Sequence, residues 1–355
     1  MRILNLILGW LYLVSLCAQA ADVVILKTGE RKTCTITGGD RDHILALMQP
    51  VAALPPIPIS IRKEHAASLE FGPAPERDIL IHEFTKSNLN ELRTLWKEFA
   101  QLLEVNGSPS GRIGLRLGLV LLEATNADAT AEALAVFSVV ANGACLSRDR
   151  EAGEQGKLRA WTALEKTAEA LSAAHKHLKT ATNSNLCAEA RLTLAAALEV
   201  ELASHLKENP RWTEDEAASQ ERTRLYHAAL DYYLLPALLP GVAPDLAIRG
   251  LWGAMRLHQK CNAPALAAET AKDLIALYPA TKHAIDAAAF LASLPATIRE
   301  LSGADPAQKT NRTEGPHDRN HPSYEEPNAS VPIQNTLDSP PAPAKRRKRS
   351  RDGNQ

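Results

Sequence analysis

The alternation of apolar and polar positions changes character twice along this chain. Between residues 22 and 75 apolar side chains recur at every second position, the period of a half-buried strand. That period predicts five short strands: Val23–Leu26, Lys32–Thr37, His43–Gln49, Ile57–Ile61 and Ser68–Phe71. Lys27-Thr28-Gly29-Glu30 and Gly38-Gly39-Asp40 supply turns. Pro50, Pro55 and Pro56 break the pairing before the fourth strand. A sheet of about 50 residues buries too little surface to be stable alone, so it is expected to dock on the segment that follows.

From Glu76 the period becomes helical. Residues 88–104 carry Leu89, Leu92, Leu95, Trp96, Phe99, Leu102 and Leu103 in an i, i+3, i+4, i+7 stripe, with Asn88 and Glu91 as an N-cap pair. The same reasoning predicts helices over 112–123, 128–141, 157–180, 186–207, 213–235, 245–260, 263–278 and 282–294, with 79–85 a further candidate. Asn142-Gly143 reads as a C-cap, and Gly153 and Gly156 as interruptions in a polar connection. Thr213 and Glu216 read as a capping box. Pro236, Pro240, Gly241 and Pro244 mark a break, and Pro244 suits the first turn of the next helix. Short loops predict antiparallel neighbours, stacked as hairpins that each bury one face on the next. After Ser302 the periodicity vanishes and Pro, Asn, Ser, Thr and charge dominate, a composition that predicts disorder.

The stretch Ala247 to Leu294 resembles the tetratricopeptide repeat (TPR) family. Ala267 stands twelve residues before Pro279, the spacing of that repeat's small hairpin residue and its terminal proline. The ending Ala-Leu-Tyr-Pro-Ala-Thr-Lys-His-Ala (276–284) is similar to the repeat junction of exported bacterial TPR proteins of envelope-assembly type. Met255, where Gly or Ala is usual, and His258, where Tyr is usual, depart from the pattern. The front segment resembles the small SH3-like β modules of exported bacterial proteins, and it would bind a peptide or simply cap the array. The expected fold is mainly α. It comprises a β domain (21–75), an irregular TPR-like α-solenoid of antiparallel helical hairpins (76–302) and a disordered tail (303–355). The resemblance implies a protein-binding scaffold and places Arg249, Trp252, Arg256 and Gln259 in the concave groove. Their offsets of 3, 7 and 10 put them on one helix face, and a Trp between two Arg suits a peptide or a carboxylate. The opposing expectation is a core tryptophan with solvated arginines.

Charge and composition add localisation. Residues 1–20 combine Arg2, an apolar run Ile3–Leu16 and the small-x-small site Ala18-Gln19-Ala20, the pattern of a secretory signal peptide. The expected location is therefore periplasmic or envelope-associated. The formal net charge of −1 names no partner, but the end of the chain is strongly basic: Lys345, Arg346, Arg347, Lys348, Arg349 and Arg351 fall within seven residues. In an exported protein this end is either solvated or a tether to an anionic membrane or cell wall, and no nucleic-acid partner is expected. Cys34, Cys145, Cys187 and Cys261 are far apart and lack ligand spacing, which argues against zinc. A Cys145–Cys187 disulfide stays open, since spacing does not decide pairing.

Catalytic motifs do not emerge. His82-Glu83 lacks the second histidine of a zinc protease motif, and no nucleophile elbow, Walker loop or dinucleotide fingerprint occurs. His175 and His177, like Glu199 and Glu201, lie two apart on predicted helices and so point away from each other. Both histidines are expected at the surface. No cofactor is expected. The leading expectation is a non-enzymatic scaffold. The alternatives are a hydrolase or transferase whose site is assembled from scattered residues, or a structural envelope protein held by its basic tail.

Overall fold

A computed structural model describes residues 21–50, 54–73, 88–124 and 126–295. The leader, the candidate helix at 79–85 and the tail from 303 lie outside the described residues.

The five expected strands form one antiparallel sheet. They are β1 (Asp22–Leu26), β2 (Arg31–Gly39), β3 (His43–Met48), β4 (Ile57–Arg62) and β5 (Ala66–Glu70), in the spatial order β4-β3-β2-β1-β5. Alternation sets the register: Cys34, Ile36, Ile44, Ala46 and Ile61 turn inward while their neighbours face out. Asp22 anchors the first strand from a buried position. Its carboxylate accepts the Ile36 and Gly72 backbone N–H groups, both at 2.9 Å.

Ten helices follow among the described residues. They are α1 (Leu89–Phe99), α2 (Ser110–Glu123), α3 (Ala127–Gly143), α4 (Ser147–Ala163), α5 (Thr167–Thr180), α6 (Ser184–Glu208), α7 (Glu216–Leu238), α8 (Pro244–Lys260), α9 (Pro264–Leu277) and α10 (Lys282–Ser293). Consecutive helices pack on one another throughout, and α4 also packs on α2 and α6. No described helix is long and apolar enough to cross a membrane.

The sheet and the first helices share one core. Ile44 and Leu69 from the sheet meet Leu92, Leu102, Ile113 and Phe137 from the helices. At the seam the Leu69 N–H donates to the Asn106 carbonyl at 2.8 Å. The next residue, Gly107, has φ +80°, and a Cβ there would lie 2.0 Å from the Leu69 oxygen. Only glycine satisfies both the conformation and the approach. The expected docking of a small sheet on the helices therefore takes the form of a continuous hydrophobic core.

Three helix assignments differ from the expectation. Gly153 and Gly156 interrupt nothing; they lie inside α4. A Cβ at Gly156 would stand 2.2 Å from the Phe137 ring, and one at Gly153 would stand 2.7 Å from the Ala141 nitrogen. These glycines let α4 press against α3. The single helix expected over 157–180 is two, because the chain turns at Glu165, which adopts φ +57°. There the Lys166 N–H donates back to the Trp161 carbonyl at 2.9 Å, closing α4 with a left-handed cap. Finally, Asp215 rather than Thr213 caps α7, its side chain accepting the Ala218 N–H at 3.1 Å. Pro236 does not end α7, which continues to Leu238.

Further cores follow along the array. Leu192, Leu225, Leu246 and Leu257 join α6, α7 and α8. Leu251, Met255, Ala267, Ala271 and Leu274 join α8 to α9. Met255, Ala267 and Ala271 are all buried there. Among the described residues, Cys34, Cys145, Cys187 and Cys261 are unpaired thiols, with Cys145 exposed and Cys34 buried.

Candidate functional site: a basic groove across the helical array

α8 begins at Pro244, with Asp245 in its first turn, where a carboxylate favours the helix dipole. Leu246, Leu251, Ala254 and Leu257 bury one side. Arg249, Trp252 and Arg256 stand on the other and face a concave groove of about 590 Å³. α2 contributes Arg116, Leu119, Leu122 and Glu123, and α4 contributes Arg159. α6 adds Glu189 and Leu192, α7 adds Tyr233 and α10 adds His283. Three of the four residues expected in a groove thus share one. Gln259 does not line it. It lies about 15 Å along the helix from Arg249 and is exposed past the groove's end.

The floor of the groove is an ion cluster. Glu189 is 1% exposed. Arg249 grips it with two parallel bonds of 2.7 and 2.8 Å, and the Arg159 Nε donates to it at 2.7 Å. Arg159 reaches on to Asp245 at 2.9 Å. Burial acts to raise the Glu189 carboxyl, but Arg249 and then Arg159 outweigh it and hold the group below the usual carboxylate range. Burial likewise works against the Arg159 charge, and Glu189 with Asp245 more than restores it. The cluster ties α4, α6 and α8 together beneath the groove.

The wall around Trp252 has its own order. Its ring meets His283 edge to face, with centroids 5.3 Å apart. Burial is the main cause that lowers the His283 pKa. The Tyr233 hydroxyl donates to Glu199 at 2.6 Å, and Lys260 takes the other oxygen of that carboxylate. Burial, then this bond, pushes the Tyr233 phenol upward. Arg256 is exposed at the rim.

Other polar pairs lie elsewhere. His177 is half-buried rather than superficial, 3.5 Å from Glu154, while His175 is exposed. Glu199 is engaged and Glu201 exposed, so the two diverge as their spacing requires. Tyr226 and His258 form a buried pair at 2.6 Å. The basic residues 345–351 lie outside the described residues.

Arg159, Glu189, Tyr233 and His283 were not visible as site residues in the sequence. Glu189 left a trace: it is a single carboxylate three residues from both Leu186 and Leu192, on a face otherwise built of Leu, Ala and Thr. Such a charge requires a partner, but its partners lie 30 and 60 residues away. No protein-family model, no curated protein and no solved structure matches this chain.

Proposed function

We propose that this chain is an exported, non-enzymatic scaffold that holds a segment of another protein in the groove beneath Trp252 and Arg256. One observation carries the reading: an amphipathic aromatic and an exposed arginine stand side by side in a concavity built from six helices of the array. Trp and Arg dominate the energetics of protein interfaces because they combine large apolar area with directional hydrogen bonds. The groove runs open across the array, as suits an extended segment.

The array is TPR-like in its closing hairpin. Ala267 and Ala271 are fully buried between α8 and α9, and the turn at Pro279 leads into α10. At 25 and 23 residues, α6 and α7 are longer than the helices of a repeat of about 34 residues, which makes the array irregular. The five-stranded sheet serves as its SH3-like front cap. The leader at residues 1–20 supports export, and a role in envelope organisation follows from that location.

The test is capture of partners from the organism's own envelope by the wild-type chain and by the double variant Trp252→Ala/Arg256→Ala. The expected result is loss of the captured proteins with helicity unchanged by circular dichroism. Retention of the same partners removes the groove reading.

A further inference from the structure

We infer that the groove takes an acidic segment of a partner protein and that Arg256 meets its carboxylate. The inference rests on the groove reading above and adds the chemistry of the ligand. Arg116, Arg159, Arg249 and Arg256 face the groove, against the carboxylates of Glu123 and Glu189, so cations exceed anions. These cations are not equivalent. Arg249 and Arg159 are committed to Glu189, and Arg159 also to Asp245. Arg256 makes no hydrogen bond or ion pair among the described residues.

Arg256 is an exposed guanidinium at the rim of a cation-rich groove, one turn beyond the Trp252 ring. A planar fork of donors next to an aromatic surface fits a carboxylate whose neighbour is apolar. Leu119, Leu122 and Leu192 provide the apolar lining. A cation-rich lining of this kind is complemented by an acidic segment rather than a basic one.

A labelled peptide of Glu, Ala and Leu, and its counterpart with Lys for every Glu, test this by fluorescence anisotropy with the full-length chain. The acidic peptide is expected to bind at least about tenfold more tightly than the basic one and to weaken as salt is added. Arg256→Glu is expected to lower its affinity about tenfold or more, and Arg256→Lys to retain part of it. Because Arg256 is exposed, both variants should melt like the wild type. Equal binding of the two peptides, binding of neither, or unchanged affinity in Arg256→Glu overturns the inference. Displacement by inorganic phosphate but not by free acidic peptide overturns it too, in favour of a phosphate-bearing ligand. If Trp252→Ala weakens both peptides equally while Arg256→Glu alters neither, the groove reading survives and the acidic partner does not.

Discussion

Arg249 on α8 and Glu189 on α6 are joined by two parallel hydrogen bonds of 2.7 and 2.8 Å, sixty residues apart in sequence. A carboxylate removed from water in this way is tolerated because two guanidinium groups surround it. The pair does two things at once. It fixes the relative placement of α6 and α8, and it consumes the charge of one groove arginine while another, Arg256, stays exposed at the rim.

Removing the buried partner should therefore be costly. Glu189→Gln leaves Arg159 and Arg249 facing each other without their shared anion, and a loss of about 3 kcal/mol is expected. The double variant Glu189→Gln/Arg249→Met should lose less than the sum of the single changes, because the cation that Gln cannot satisfy is gone. Urea unfolding of the four proteins of this cycle measures the coupling. Strict additivity would contradict the geometry.

Acid stability should depend on Glu154. Its hydrogen bond with His177, opposed by burial and reinforced by Lys157, holds its carboxyl down to about 2. A carboxyl depressed in the folded state stabilises above its ordinary pKa of 4.5 and loses that contribution as pH falls through about 2. Glu154→Gln should therefore lower stability near neutrality by on the order of 2 kcal/mol. It should also flatten the fall in stability between the two pKa values. A pH series of thermal melts reads this, and identical acid profiles would refute the assignment.

Gly156→Ala inverts the usual expectation for a helix interior, where alanine stabilises by about 1 kcal/mol. The new Cβ would stand 2.2 Å from the Phe137 ring, and overpacking of this kind costs about 1–3 kcal/mol. A smaller side chain at the contact should relieve it, so Phe137→Leu combined with Gly156→Ala is expected to be more stable than the two separate losses imply. A stabilised Gly156→Ala protein would show that α3 and α4 do not pack this closely.

The parts of this fold that were legible in the sequence are those decided locally. The five strands followed from alternation, since a single apolar face fixes which residues turn inward. The start of α8 was marked by Pro244, which stands in its first turn. What escaped was decided by distant neighbours. Gly153 and Gly156 carry the signature of a loop, and only the proximity of Ala141 and Phe137 reveals them as contact points. The break at Glu165 lacks glycine and proline, so nothing in the pattern announced it. In the groove, the stripe on α8 could be read because helical spacing places Arg249, Trp252 and Arg256 together. Glu189, Arg159 and His283 come from other helices, and only the packing of the array brings them to the same place.

Occupancy of the groove at Trp252 by another polypeptide can be read in the cell. Ala163 lines this groove at the end of α4 and is exposed, while Glu201 is exposed on α6 and is not among the groove's lining residues. A photoreactive residue placed at each position in living cells, with the rest of the chain intact, reports which polypeptide lies against it. An adduct with a second polypeptide is expected from position 163, lost on Trp252→Ala, and none from position 201. No adduct from 163, or the same adduct from both positions, would contradict it.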